Sequence, residues 1–202
     1  MVNEIIAVQE YLSGKNIQKA NLYHIVLLLA RWFKEQGYSH LQIREKIFEW
    51  GRENHVYINH NVNGIIKCAL NDKRKLTDNI VIHINSQDIS EINRRFDSKK
   101  TKLVALAFLC YAKAHANRDK EFSVPAIALG SWLKVSRTTL QAVYIQELVD
   151  YEYIQIVDAG GWNGSGKTKA TKYRMCVPLH NDGEYELVGN NIHALFKKIF
   201  VR

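Results

Sequence analysis

The chain has 202 residues, with 28 Lys plus Arg against 20 Asp plus Glu, a net charge of +8. Apolar residues make up 47% and charged residues 24%, which excludes disorder, and two prolines exclude a proline-rich linker. The longest uncharged apolar run, Leu22 to Ala30, is far shorter than the roughly 20 residues of a membrane span, so a cytoplasmic protein with no membrane partner is expected.

Met1-Val2-Asn3-Glu4 has no basic head and no cleavage pattern, so it does not read as a signal peptide. The periodicity predicts helices over 3–12 and 21–36. The second is apolar over most of its surface, through Leu22, Ile25, Val26, Leu28, Leu29, Trp32 and Phe33, and should be buried on more than one side. Gly37 stops it. Ser39 and Gln42 match a capping box for a third helix, with Leu41, Ile43, Ile47, Phe48 and Trp50 as core contacts and Gly51 as its end. Asn59 to Leu70 gives a fourth. Lys73-Arg74-Lys75 reads as a basic hinge, dividing a helical bundle (1–76) from a second module (77–202).

The second module opens with a strand, Ile80 to Ile84, and a short helix, Asp88 to Phe96. A strong helix follows over 101–116, then a polar turn, Asn117-Arg118-Asp119-Lys120. Two helical segments, two strands joined by a glycine-rich loop, and a terminal strand and helix complete it, around Tyr185–Val188 and Ile192–Phe200. The expected class is mainly α, of the α+β kind.

Leu129-Gly130-Ser131-Trp132-Leu133-Lys134-Val135-Ser136-Arg137-Thr138-Thr139-Leu140 is the most informative stretch. Leu129 and Leu133 pin a first helix, Gly130 permits a close crossing, and Val135 fills the turn. Ser136 caps a second helix, leaving Arg137, Thr138 and Thr139 at its exposed start. Free amides there suit phosphate, and short polar side chains suit base edges. Leu148, Tyr151 and Ile154 close this helix onto a strand, and Tyr153–Asp158 and Ala170–Val177 read as two further strands. Between 159 and 178 stand Lys167, Lys169, Lys172 and Arg174 with no acidic residue.

Residues 101–178 thus resemble the winged helix-turn-helix of DNA-binding proteins, with Tyr153–Asp158 and Ala170–Val177 as the two wing strands. The resemblance implies a double-stranded DNA partner and no catalysis. Ser136, Arg137, Thr138, Thr139 and Gln141 would meet the major groove. Lys167, Lys169, Lys172 and Arg174 would meet the backbone or minor groove. Trp162 would either stack on a sugar or base or fold back on the wing. The second helix is unusually apolar, through Val143, Tyr144, Ile145, Leu148 and Val149, and Glu147 and Asp150 sit near its C-terminal end. The alternatives are a helical hairpin without a ligand and a protein-interaction module.

Gly161-Trp162-Asn163-Gly164-Ser165-Gly166-Lys167-Thr168 also fits G-x-x-x-x-G-K-[ST], the phosphate-binding loop of nucleotide hydrolases. That motif must open a helix, whereas Lys172 to Val177 reads as a strand, so no nucleotide cofactor is expected. Cys68, Cys110 and Cys176 are too scattered for a disulfide framework or a zinc knuckle and read as reduced core residues. His55 and His60 lack the further ligands of a metal site.

Residues 16–72 are similar, more weakly, to the small helical domain C-terminal to primase catalytic domains in phage and plasmid replication proteins. The resemblance rests on Asn21-Leu22-Tyr23, Gly37-Tyr38-Ser39, Trp50 and Val62 to Leu70. In that family the bundle supports primer synthesis beside a catalytic domain; no such domain is read in this sequence, so priming is not expected, and the alternative is a generic helical bundle serving as a dimerisation or partner-binding module. Arg44, Lys46, Arg52 and Lys67 are its candidate DNA-facing cations. Replication initiation in a phage or mobile element is the first expectation, and transcriptional regulation the second.

Overall fold

A computed structural model describes residues 3–17, 21–59, 61–77, 80–162 and 168–201. The chain divides into two compact units, Asn3–Asn79 and Ile80–Arg202.

The first unit holds α1 (Glu4–Leu12), α2 (Leu22–Glu35), α3 (His40–Glu53) and α4 (Val62–Asn71). Side-chain caps start three of them. Asn3 accepts from the Ile6 amide, Asn21 from that of Tyr23, and Ser39 and Gln42 close the expected capping box. Helix α2 packs on the other three, as its apolar breadth requires. Val26 and Ala30 of α2 meet Ile43 and Ile47 of α3 and Val62, Ile66 and Ala69 of α4. Trp50 donates its indole N–H to the Tyr11 carbonyl at 2.8 Å, so the ring is buried without an orphaned donor.

Three expectations fail in this unit. Gly51 does not end α3, which continues to Glu53; a Cβ there would meet Ile58 Cγ1 at 2.5 Å and the Val56 carbonyl at 2.9 Å. Leu41 is exposed, because the first turn of α3 points it away from the side holding Ile43 and Ile47. Lys73-Arg74-Lys75 is no free hinge. Buried Arg31 of α2 pairs with Glu4 at 2.7 Å and Asp72 at 3.5 Å, and donates to the carbonyls of Arg74 and Lys75. Glu35 accepts the Leu76 amide, and Glu4 accepts that of Thr77. Residues 72–77 are therefore fastened along α2 and α1.

The second unit begins with β1 (Ile82–Ile84), α5 (Ser86–Arg95) and α6 (Lys99–His115). Then come β2 (Glu121–Ser123), α7 (Ala126–Leu133) and α8 (Arg137–Thr139). A π-helical segment (Leu140–Ile145) and α9 (Gln146–Asp150) carry α8 on as one continuous helix. Strands β3 (Ile154–Asp158), β4 (Gly161–Trp162), β5 (Thr168–Lys169), β6 (Lys172–Met175) and β7 (Tyr185–Leu187) precede α10 (Ile192–Phe200). The class is mainly helical with small antiparallel sheets.

Helix α6 is the core. Val104 to Cys110 are all buried, and Phe108 meets Tyr173 edge-on at 5.1 Å. Around it lies a three-stranded antiparallel sheet in the order β2-β6-β3. Strands β4 and β5 pair antiparallel beyond it, Gly161 with Lys169 and Trp162 with Thr168. Strands β1 and β7 form a separate antiparallel pair. Buried Lys113 of α6 meets Asp88 at 2.6 Å and donates to the His83 carbonyl at 2.6 Å. That one ammonium ties α5 and β1 to the core helix.

Strand β2 is not among the expected elements, since Glu121-Phe122-Ser123 offers one apolar residue and no β-branched pair to signal a strand. Tyr151 does not close the 137–150 helix: it is half exposed, and buried Tyr153 does so with Leu148 and Ile154. Of the cysteines only Cys110 is buried. Cys68 lies off the α4 side that carries Val62, Ile66 and Ala69. Cys176 falls on the outward beat of a strand-like alternation that buries Tyr173, Met175 and Val177.

Candidate nucleic-acid interface

The geometry at residues 126–150 follows from three local devices. Gly130 sits where a Cβ would stand 2.7 Å from the Val135 carbonyl, and its own carbonyl accepts the Val135 amide at 2.9 Å. The close approach is therefore to the turn, not to the next helix. Lys134 ends α7 in the left-handed conformation, with φ of 56°. Ser136 Oγ then accepts the Thr139 amide at 3.1 Å and contacts Thr139 Oγ1 at 2.7 Å. The cap leaves Ser136, Arg137, Thr138 and Thr139 exposed, as the spacing predicts.

Beyond the cap, Leu140, Ile145 and Leu148 are buried against α6 and its neighbours, while Gln141, Ala142, Val143 and Gln146 are exposed. Arg137 Nε donates to Gln141 Oε1 at 3.2 Å, which holds both long side chains over the first turns. Glu147 turns inward and accepts from the buried Thr101 hydroxyl at 2.8 Å. It adds no negative charge to the outward face. Asp150 does lie outward, accepting from Gln146 Nε2 at 2.8 Å. At the far end Arg95 of α5 donates to the Tyr151 carbonyl, a cation at a helix C-terminus.

The structure separates the remaining expected contacts. Lys167 lies outside the described residues; Trp162 and Lys169 are placed by their backbones in β4 and β5. Lys172 and Arg174 stand on β6, and both pair with Glu121 on neighbouring β2. Arg174 is directly opposite Glu121, and Lys172 is the diagonal neighbour. Hydrogen bonds from Lys172 and then Arg174 hold the Glu121 carboxyl below its usual range. The acid-free stretch in sequence is thus not acid-free in space.

Both ends of the phosphate-loop pattern lie on the β4–β5 pair, so a strand follows Thr168 where that chemistry needs a helix. His55 has positive φ beside Asn54, His60 lies outside the described residues, and no metal-binding group of His, Cys, Asp or Glu occurs among the described residues. No described helix is long and apolar enough to cross a membrane.

In the first unit Arg52 and Lys67 are exposed, but Arg44 and Lys46 are half-buried. Lys46 sits 4.6 Å from the Tyr38 ring centroid, and Arg44 sits 5.5 Å from that of Phe48. Their stems cover aromatic surface, which the charge pattern alone does not reveal. No protein-family model, curated protein or solved structure matches this chain.

Proposed function

We propose that residues 101–178 act as a winged helix-turn-helix that binds double-stranded DNA without catalysis, with the 137–150 helix in the major groove. One observation carries this reading. The order helix, strand, helix, turn, helix, strand, hairpin, strand is combined with an antiparallel sheet in the order β2-β6-β3. In that arrangement the second helix of the turn lies against the core on one side and offers Arg137, Thr138 and Gln141 on the other. The two wing strands are β3 and β6, with β4 and β5 paired beyond them, and Lys167 and Lys169 are the wing cations taken from the sequence pattern. Lys172 and Arg174 share the single carboxylate of Glu121, which offsets one of their two charges, and together contribute less to phosphate binding than two free cations would.

The biological role is replication initiation or its control in a phage or mobile element, favoured over transcriptional regulation by the primase-like pattern of the bundle. The bundle supplies a dimer or partner contact. Capture of bound DNA from cells expressing the protein separates the two roles. One peak at an element's origin supports replication, and peaks at promoters support regulation.

A further inference from the structure

The 137–150 helix contains a π-helical segment, and its position has a cause in the sequence. Leu140 and Ile145 are five residues apart, and both are buried, at 0% and 4% exposure. In a regular α-helix they would point about 140° apart. A π turn brings residues five apart onto one side, so both reach the core. The same insertion re-phases the outward face. A regular helix would continue the row Arg137, Gln141 with Ile145. Here the row runs Arg137, Gln141, Gln146, Asp150, and all four are exposed.

The hydrogen bonds follow this row. Arg137 Nε donates to Gln141 Oε1, and Gln146 Nε2 donates to Asp150 Oδ1. Each pair leaves capacity facing outward. Arg137 keeps its two terminal nitrogens, the fork that meets O6 and N7 of guanine. Gln146 keeps Oε1 and its second amide hydrogen, the pair that meets N6 and N7 of adenine.

We infer that the π segment places Gln146 in register with Arg137 and Gln141 as a base-reading residue, extending the readout two turns beyond the capped helix start. This rests on the DNA-binding reading above and adds a specificity determinant to it. Gln146 stands nine positions after Arg137, which is about 13 Å of helix, or about four base pairs. Asp150 is a positioning residue that orients the Gln146 amide.

The test is selection of preferred sites from random duplexes by the full chain. It is followed by binding of the selected duplex and its single-base-pair variants to wild type, Arg137→Ala, Gln141→Ala and Gln146→Ala. Gln146→Ala alters an exposed side chain and leaves the core intact. The expected result for Gln146→Ala is about tenfold weaker discrimination at one base pair, with affinity for unrelated duplex unchanged. That base pair should lie three or four steps from the one relaxed by Arg137→Ala. If Gln146→Ala keeps every preference while Arg137→Ala relaxes one, the inference is overturned and the DNA-binding reading stands. If wild type binds no duplex, both fall.

Discussion

Arg31 shows how much one side chain can organise. It is buried in α2, neutralised by Glu4 and Asp72, and donates to two carbonyls of the 72–77 segment. Removing a single partner from such a group leaves the others buried and unpaired. Arg31→Met is expected to destabilise the bundle by about 3 kcal/mol, measurable as a lower urea midpoint. Titration acts on the same unit. Burial lowers the His24 pKa from 6.5 to about 4, with Glu4 opposing and Arg31 adding to the shift. The imidazole is thus neutral in the fold, while the unfolded chain takes up a proton below 6.5. Its contribution is complete above pH 6.5 and is lost as pH falls towards 4. Asp72, hydrogen-bonded by Arg74, is lowered from 3.8 to about 2, so its contribution is present above pH 3.8 and lost towards pH 2. Stability of the bundle should therefore fall with acid in two stages, and His24→Leu should remove the first. This role of Arg31 is not readable from sequence, since a lone arginine in an apolar helix looks the same whether buried or snorkelling.

Elements are legible in the sequence where side chains cap or alternate, and illegible where partners come from elsewhere in the chain. The capping box at Ser39 and the cap at Ser136 are readable because both partners lie within three residues. Strand β2 is not, and neither is the pairing of Glu121 with Lys172 and Arg174, which joins residues far apart in the chain. The π segment is hidden for another reason: the apolar residues Val143, Tyr144, Ile145, Leu148 and Val149 fit more than one helical phase. Gly130→Ala sets a Cβ against the Val135 carbonyl, a backbone atom that cannot yield cheaply, and is expected to cost about 1–3 kcal/mol in thermal or urea unfolding. The double variant Lys172→Ala, Arg174→Ala should change the slope of log K against log salt by less than about 1, against about 1.8 for two free phosphate contacts.

At the scale of the whole molecule, the +8 charge points to a polyanion without locating it. The structure divides that charge. Arg31 and Lys113 are buried in ion pairs, Arg44 and Lys46 lie over aromatic rings, and Lys172 and Arg174 are held by Glu121. The proposed function assigns Arg137 on the capped helix and the wing lysines to DNA, while Arg52 and Lys67 of the first unit also stay exposed. The most direct measurement is fluorescence anisotropy of duplex DNA binding by the full chain, at about 50 to 200 mM salt, for wild type and for Arg137→Ala with Lys167→Ala. Wild type should bind in a salt-dependent way and the double variant more weakly, with a salt slope smaller by about 0.9 for each phosphate no longer neutralised. Equal affinity and equal slope for the two proteins would contradict the assignment of DNA binding to this helix and wing.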